Sequence, residues 1–341
     1  MRPLLGPVSF SSMARDFPRG GELLVRLPNW VGDAVMASPA LLNLLPVYDS
    51  LALIGRPHVL ELFKGLSGLK GLFPLPPGRK PLLELSRRLR GRFEAGLLLP
   101  NSFSSALLFF LARVKDRAGY QADGRGLLLT HPVKRPRKKL HQRDYYLHLL
   151  ASLGLETHSR ELRLFLPEEA RRRAEHFLTA LPSPLAVLAP GAAFGPAKRW
   201  PLARYRALAY HLRRAGFSLV ILGSREEHAA GAEIAKDLAR ARNLCGQLDL
   251  ATAAAIIARA DLFVSNDSGL MHVAAAAKVP QVAIFGSTDP ERTGPLNPRA
   301  RVIKAQVPCS PCFARTCKRG YACFNEIEVT QVFEACLEVS S

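Results

Sequence analysis

Short apolar runs alternate with amphipathic or alanine-rich segments along this 341-residue chain, and the alternation restarts after the proline-containing turn at 182–184. Residues 22–27 and 93–99 are typical of buried strands in the first half, as are 185–189 and 280–285 in the second. Parallel strands need helical crossovers, so the pattern predicts an α/β protein with two doubly wound, Rossmann-like domains. We expect their parallel sheets to face each other across a cleft.

The restart also sets the predicted domain boundaries. We expect residues 1–20 to be a disordered tail and residues 21–182 to form the N-terminal domain. Residues 183–328 would form the C-terminal domain, and a last helix within 329–341 would pack back on the N-terminal domain. A further strand is expected at 161–166.

The chain is strongly basic, with 47 Lys and Arg against 28 Asp and Glu and a net charge of +19. This surplus indicates an anionic partner, such as nucleic acid, an acidic membrane face or a phosphorylated substrate. No zinc-finger, RNA-recognition or helix-turn-helix signature accompanies the charge, which disfavours nucleic acid. No apolar run approaches the roughly 18 residues that span a bilayer, and we find no secretory segment, so a cytoplasmic protein is expected.

Polar residues are concentrated at the start of the segment Ser265–Ala276. The segment follows an apolar run and then becomes alanine-rich, as is typical of a packed helix. Asp267 and Ser268 suit the helix N-cap, and Gly269 allows a phosphate or another backbone to approach closely. Unpaired amides at the start of that helix favour an anion such as a diphosphate. His272 lies about one turn further along and can point toward the same ligand. Turn formation and capping alone would also explain these residues.

Two other loops of the second half also join a strand to a helix. In Gly191–Pro201, small residues let backbone amides face a phosphate and Lys198 supplies a mobile cation, although the Walker A ending is absent. The loop Gly223–Glu227 offers carboxylates for ribose hydroxyls. A solvated helix N-terminus explains those glutamates equally well.

In the first half, Asp33 falls in the first turn of the helix that follows the first strand. It is either a helix-capping residue or a carboxylate at the mouth of the cleft, available as a general base. Further on, residues 113–143 contain ten Lys or Arg against two Asp, five of them between 134 and 139. This basic run is either a solvated loop or the site of an anionic acceptor.

Four of the six cysteines form a cluster at Cys309, Cys312, Cys317 and Cys323. A Cys-x2-Cys knuckle with two further thiols could hold a structural Zn²⁺, but the later spacing does not match a standard zinc ribbon. Reduced thiols or a redox-dependent staple are the alternatives. Cys245 and Cys336 are expected to lie in the core.

Taken together, the motifs Val31-Gly32-Asp33, Lys198–Pro201 and Ser265–His272 resemble those of one family, the lipopolysaccharide heptosyltransferases of glycosyltransferase family 9. The resemblance extends over nearly all of residues 21–340. It implies a GT-B fold and inverting, metal-independent catalysis. The implied reaction moves L-glycero-D-manno-heptose from ADP-heptose to the heptosyl-Kdo2-lipid A inner core of lipopolysaccharide. It also implies an enzyme, expected to be a monomer, on the cytoplasmic face of the inner membrane.

The resemblance assigns roles residue by residue. It matches Asp33 to the general base and Lys198 to a donor diphosphate contact. The other donor-binding positions that it implies are Glu227 (with Glu226 as a substitute), Asp267, Ser268, Gly269 and His272. Ala192 and Ala193 stand where related enzymes have hydroxyl residues, so donor contacts there must come from backbone amides. The acceptor's phosphates and carboxylates suit the exposed cations of the basic run, namely Lys134, Arg135, Arg137 and Lys138. The cysteine cluster receives no catalytic role.

Other functions are compatible with parts of this pattern. The nearest is a family 9 transferase that uses another nucleotide sugar or another acceptor. A sugar-nucleotide epimerase on the same fold would need no lipid acceptor. A nucleic-acid-binding protein would be expected to interleave aromatic residues with its cations, and residues 134–139 contain none.

Overall fold

The computed structural model describes residues 16–341. It contains two six-stranded sheets, each with parallel strand pairing. In the first sheet the strand order is β3-β2-β1-β4-β5-β6. Its strands are β1 Glu22–Arg26, β2 Ser50–Gly55, β3 Leu69–Pro74, β4 Ala95–Leu98, β5 Asp116–Tyr120 and β6 His131–Val133. Leu23 of the central β1 pairs with Leu51 on one side and Ala95 on the other. This is the strand order of a dinucleotide-binding fold.

The second sheet repeats the arrangement, in the order β12-β11-β10-β7-β8-β9. Its strands are β7 Leu185–Ala189, β8 Ser218–Ile221, β9 Ala241–Asn243, β10 Leu262–Asn266, β11 Gln281–Phe285 and β12 Ala300–Lys304. Every residue of β7, β10 and β11 is buried. Such strands are covered by helices on both faces, which explains their continuous apolar runs. The predicted fold class is confirmed.

Helices connect the strands in both domains. Those before β7 are α1 Val31–Met36, α2 Ser38–Leu44, α3 Pro57–Leu60, α4 Arg79–Arg88, α5 Phe103–Leu111, α6 Gln142–Ser152 and α7 Glu168–Leu178. Those after it are α8 Leu202–Arg214, α9 His228–Ala235, α10 Leu250–Ile257, α11 Gly269–Ala276, α12 Pro290–Thr293, α13 Ala322–Asn325 and α14 Val329–Ser340. Short 3₁₀ turns occur at Glu61–Phe63, Arg125–Leu128, Pro196–Lys198 and Arg225–Glu227.

The two domains meet through their helices. α1 of the first domain packs directly against α11 of the second. The Leu250 N–H donates to Glu61 Oε2 at 2.8 Å, and His141 Nε2 lies 3.0 Å from the Gly294 carbonyl oxygen. These contacts hold the N-termini of α1 and α11 face to face, which brings the two strand-to-helix turns together.

The C-terminal helix does not pack where the sequence predicted. α14 contacts α8 and the strands β10, β11 and β12, all within the second domain. The segment before it is already tied to that domain, because Trp200 Nε1 donates to the Ile327 carbonyl at 3.1 Å. Arg204 also donates to the carbonyls of Phe324 and Ile327. The apolar side of α14 therefore meets the second core rather than the first.

Two further expectations need correction. Most of the predicted disordered tail, residues 1–15, lies outside the described residues, but two of the others are packed: Phe17 is buried, and the Pro18 carbonyl accepts from Tyr48 Oη at 2.7 Å. The expected strand at 161–166 is an irregular connection, in which the Phe165 N–H donates to the Leu62 carbonyl at 3.0 Å. Within residues 16–341, no helix has the length and apolar character that crossing a bilayer requires.

Candidate active site

Asp33 lies where the first domain faces the second. The helix N-cap is occupied by Trp30, so Asp33 sits inside the first turn of α1 rather than at the capping position. The pKa of the Asp33 carboxyl is raised from 3.8 to about 6, chiefly by burial, and the nearby Asp267 carboxylate contributes to the rise. The Lys198 ammonium opposes both effects. A carboxyl with a pKa near 6 is mostly ionised at neutral pH yet basic enough to take a proton.

Two glycines allow the turns of the domains to touch. A Cβ atom on Gly32 would lie 2.6 Å from His272 Cδ2, and one on Gly269 would lie 2.8 Å from Val31 Cβ. Real Cβ atoms do not approach so closely, so any side chain at either position would push α1 away from α11. The two positions therefore fix how near Asp33 comes to the second domain.

His272 is buried between the two domains. Its pKa is lowered to about 4, chiefly by burial; the Asp267 carboxylate opposes this change, and the charges of His141 and Lys198 contribute to it. The imidazole is therefore neutral at pH 7, and its Nδ1 is buried without a hydrogen-bond partner in the described part of the chain. A buried polar atom without a partner is costly, which makes this nitrogen available to a bound molecule.

Lys198 and Asp267 form a buried ion pair. Lys198 Nζ lies 2.5 Å from Asp267 Oδ2, and Thr288 Oγ1 donates to the same oxygen at 2.6 Å. The side chains of Lys198 and Asp267 are 15% and 5% exposed, so little water screens the pair. The ammonium also lies over the Phe194 ring, 5.1 Å from its centroid. The sequence predicted that both charged groups bind donor, but it did not predict that they would bind each other.

The N-terminus of α11 opens into the same cleft. Ser268 occupies the N-cap, and Gly269 is the first helical residue. The Ser268 side chain makes no capping hydrogen bond, and its Oγ is buried without a partner among residues 16–341. The first amides of the helix point out of its end, where they favour an anion.

Two residues that the sequence analysis did not select support this geometry. Asn266 accepts from the Trp200 N–H at 3.0 Å and donates to the Pro190 carbonyl at 2.6 Å, which ties the 190–200 loop to β10. Tyr146 of α6 is buried close enough to Asp33 for that carboxylate to help raise its phenol pKa, although burial is the larger cause. Asn266 lies inside the motif already singled out, whereas the sequence carries no signal for Tyr146.

The remaining predicted donor residues lie on the adjacent loops. Glu227 forms a capping box with Ser224, whose N–H donates to Glu227 Oε2 at 2.8 Å. The carboxylate also lies against Gly191, where a Cβ would come within 1.9 Å of Glu227 Oε1. Ala192 is buried and Ala193 is exposed. Helix capping is thus an observed role of Glu227, beside its predicted role in binding.

The basic run follows the edge of the first sheet, and the cysteine cluster lies in a loop that contacts Ser287 and the 190–200 loop of the second domain. The predicted acceptor-binding cations Lys134, Arg135, Arg137 and Lys138 are all exposed and follow edge strand β6. All six cysteines are free thiols, and Cys245 and Cys336 are buried as expected. Over residues 16–341, no set of three or more His, Cys, Asp or Glu side chains is placed to hold a metal ion. Zinc binding by the clustered thiols stays a prediction.

Comparison with known proteins assigns the chain to a family. The sequence pattern of glycosyltransferase family 9 (heptosyltransferase) matches residues 82–322. The chain belongs to glycosyltransferase family 9. This family 9 enzyme is 34% identical over 305 residues to lipopolysaccharide heptosyltransferase 2 of Salmonella typhimurium. The aligned region covers 83% of this chain and 88% of that relative. It is 29% identical over 330 residues to lipooligosaccharide heptosyltransferase 2 of Campylobacter jejuni, at 94% and 99% coverage.

A solved structure gives the same assignment. ADP-heptose LPS heptosyltransferase II of E. coli matches with a TM-score of 0.77 and 29% identity, covering 94% of this chain and 98% of that one. The resemblance that the motifs suggested is therefore confirmed, together with the GT-B arrangement of two Rossmann-like domains. This family 9 enzyme is accordingly a glycosyltransferase.

Gly32→Ala provides a direct test of the contact between α1 and α11. We expect transfer to fall by about 10- to 100-fold, because displacing a reacting group by about 1 Å has effects of this size. The new methyl group would meet the His272 ring at 2.6 Å. Initial rates at saturating substrate would measure the loss. Gly126→Ala is the matched control, since its Cβ would have no neighbour closer than 3.9 Å, and its rate should stay near that of the unmodified enzyme.

Proposed function

We propose that this chain transfers L-glycero-D-manno-heptose from ADP-heptose to the heptosyl-Kdo2-lipid A inner core of lipopolysaccharide. One observation carries the proposal: Asp33 of the first domain faces the Lys198–Asp267 pair and the N-terminus of α11 in the second. A transferase needs a base for the acceptor and a positive environment for the leaving group. The cleft provides both, one from each domain. The relatives named above carry heptosyltransferase names, which supports heptose as the sugar.

The reaction follows from these positions. Asp33 takes the proton of the acceptor hydroxyl as its oxygen attacks the anomeric carbon from the face opposite the leaving group. The bond from that carbon to the diphosphate breaks, and its electron pair leaves with ADP. The result is inversion at the sugar carbon. Asp33 releases its proton to solvent after the product departs.

The leaving diphosphate gains negative charge as the bond breaks. Lys198 Nζ and the α11 amides near Ser268 and Gly269 are the positive groups that would stabilise it. Asp267 holds the ammonium in place through the 2.5 Å contact, so we assign it to orienting Lys198 as well as to the donor site. These fixed positive groups are the basis for our proposal that no divalent metal takes part.

The acceptor side is the first domain. Residues 79–143 contain 16 Lys and Arg against four Asp and Glu, so this segment carries +12 of the chain's +19. Lipopolysaccharide inner core bears phosphates and carboxylates, which such a surface attracts. We propose that Lys134, Arg135, Arg137 and Lys138 contact the acceptor and that the monomeric enzyme works on the cytoplasmic face of the inner membrane.

A donor and acceptor panel tests the proposal. Purified protein would be given ADP-heptose, UDP-sugars or GDP-sugars, each with the heptosyl-Kdo2-lipid A acceptor and each with and without EDTA. We expect transfer from ADP-heptose alone, unaffected by EDTA, with NMR showing an inverted anomeric carbon. Transfer from a different nucleotide sugar would establish another family 9 specificity. Conversion of the donor without acceptor would indicate an epimerase instead.

A further inference from the structure

The surface helix α5 is apolar on both of its sides. Its inner residues, including Ala106, Leu108 and Phe109, are buried in the core beneath α4. Its outer side carries Phe103, Leu107, Phe110 and Leu111 at the i, i+4, i+7 and i+8 spacing of one helix face. Phe103 and Phe110 are 47% and 48% exposed. A helix at the surface of a soluble domain normally presents polar residues there, so the core does not explain this second apolar face.

The 3₁₀ turn Arg125–Leu128 packs beside α5 and adds Leu127, which is 96% exposed. This exposure is imposed by the turn. Arg125 in the same turn is fully buried, donating through Nε to the Tyr120 carbonyl at 2.9 Å and through Nη1 to the Pro100 carbonyl. The buried arginine fixes the turn on the sheet, so Leu127 is held in solvent by an ordered backbone.

Cations lie at the Phe110 end of this apolar surface. The Arg117 guanidinium lies over the Phe110 ring, 5.7 Å from its centroid, and its Nε donates to the Leu128 carbonyl at 2.7 Å. A surface cavity of about 480 Å³ beside it is lined by Phe110 and by four cations, which are Arg90, Arg113, Lys115 and Arg117. The surface therefore combines apolar side chains at its centre with positive charge at its margin.

We propose that α5 and the Arg125–Leu128 turn together form a docking surface for an anionic phospholipid membrane. Apolar side chains that enter the boundary between headgroups and acyl chains, ringed by Lys and Arg, are the features of proteins that lie on such membranes. The apolar side chains of this surface include three leucines, the exposed Leu127 and the half-buried Leu107 and Leu111, which insert into lipid but do not stack on nucleic-acid bases. The charge complements lipid phosphates.

The Phe103 end of the docking surface lies toward the catalytic cleft. α5 begins five residues after β4 ends, at the sheet edge where the carboxyl ends of the parallel strands meet. A membrane bound along α5 would therefore lie beside the opening through which Asp33 meets its acceptor. The benefit to catalysis rests on the proposed function, whereas membrane binding itself does not.

Vesicle flotation of the full chain tests the docking surface. Phosphatidylcholine vesicles with and without phosphatidylglycerol would be compared for the unmodified protein and for the double variant Phe110→Ser/Leu127→Ser. We expect binding to the anionic vesicles, weakened by salt, and a loss of about tenfold or more in the variant. The matched control is Tyr210→Ser/Leu337→Ser, in which the two side chains are 51% and 42% exposed on the second domain and Arg214 lies 5.9 Å from the Tyr210 ring. This control should bind like the unmodified protein.

Several results would overturn the proposal. Equal binding of the Phe110→Ser/Leu127→Ser variant and the unmodified protein would place membrane contact elsewhere. Equal binding to neutral and anionic vesicles would remove the role of charge, and displacement by single-stranded oligonucleotide would indicate a nucleic-acid surface. Transfer to a delipidated, water-soluble acceptor fragment should be the same in both double variants. If a double variant lost that activity but still bound vesicles, the result would count against the proposed function and not against the docking surface.

Discussion

Asp33→Asn is expected to lower the rate of sugar transfer by about 10²- to 10⁴-fold, the usual contribution of a positioned general base. Asparagine keeps the size of the side chain but cannot accept the proton of the acceptor hydroxyl. Because Asp33 lies on α1, whereas Lys198 and α11 belong to the opposite domain, ADP binding should remain close to normal. Initial rates and titration calorimetry with ADP would measure the two effects separately.

The control for this variant is Asp237→Asn, in the second domain, whose carboxylate is 77% exposed. Its transfer rate should match that of the unmodified enzyme. If Asp33→Asn turned over at a near-normal rate, Asp33 would not be the base. The buried site would then have to supply a proton acceptor of another kind.

The pH dependence of the unmodified enzyme checks the same assignment. Its rate should rise with pH up to about 6, where the Asp33 carboxyl ionises, and then level off. Because the folded pKa is raised above 3.8, stability is lost as pH rises from about 4 to about 6, on the order of 3 kcal/mol in total. Asp33→Asn avoids this loss. Its midpoint of thermal unfolding should exceed that of the unmodified enzyme at pH 8 and match it at pH 4.

The sequence identified the central strands because they are buried on both faces, as in the Leu-Ala-Val-Leu-Ala run of β7. It did not identify β5 or β12, where Asp116-Arg117 and Arg301 interrupt the apolar pattern. Those strands are specified by pairing with neighbours far away in the chain. For the same reason the amphipathic pattern of α14 predicted a helix but not the domain against which it packs. Hydrogen bonds from Trp200 and Arg204 attach the segment before α14 to the second domain.

The same distinction applies to the candidate site. The strand-to-helix turns could be located, because Gly, Ser and Asp in such turns follow local rules of capping and close approach. The pairing of Lys198 with Asp267 joins residues 69 positions apart and has no local signal. From the sequence, each of these two residues is predicted to bind the donor. Only the folded structure shows that Asp267 also holds Lys198 in position.

Lys198→Ala should weaken ADP binding and lower the rate of transfer by about 10²- to 10³-fold, the usual effect of removing one preorganised donor at a developing negative charge. Asp267 holds the ammonium near the α11 N-terminus, where the diphosphate is proposed to lie. Calorimetry with ADP and steady-state rates would measure the effect. Lys278→Ala is the control, because that side chain is 67% exposed in its pair with Glu161.

Loss of Lys198 also leaves Asp267 buried without its counter-ion, which costs roughly 3–5 kcal/mol of stability when a buried pair is broken. The double variant Lys198→Met/Asp267→Asn removes both charges and should recover most of that stability without recovering transfer. In Lys198→Ala alone, the pKa of Asp33 should rise, since Lys198 lowers it and Asp267 raises it, and the rising limb of the pH–rate profile should move to higher pH. An unchanged ADP affinity together with an unmoved pH limb would show that Lys198 serves only to neutralise Asp267, and the leaving group would then depend on the α11 amides alone.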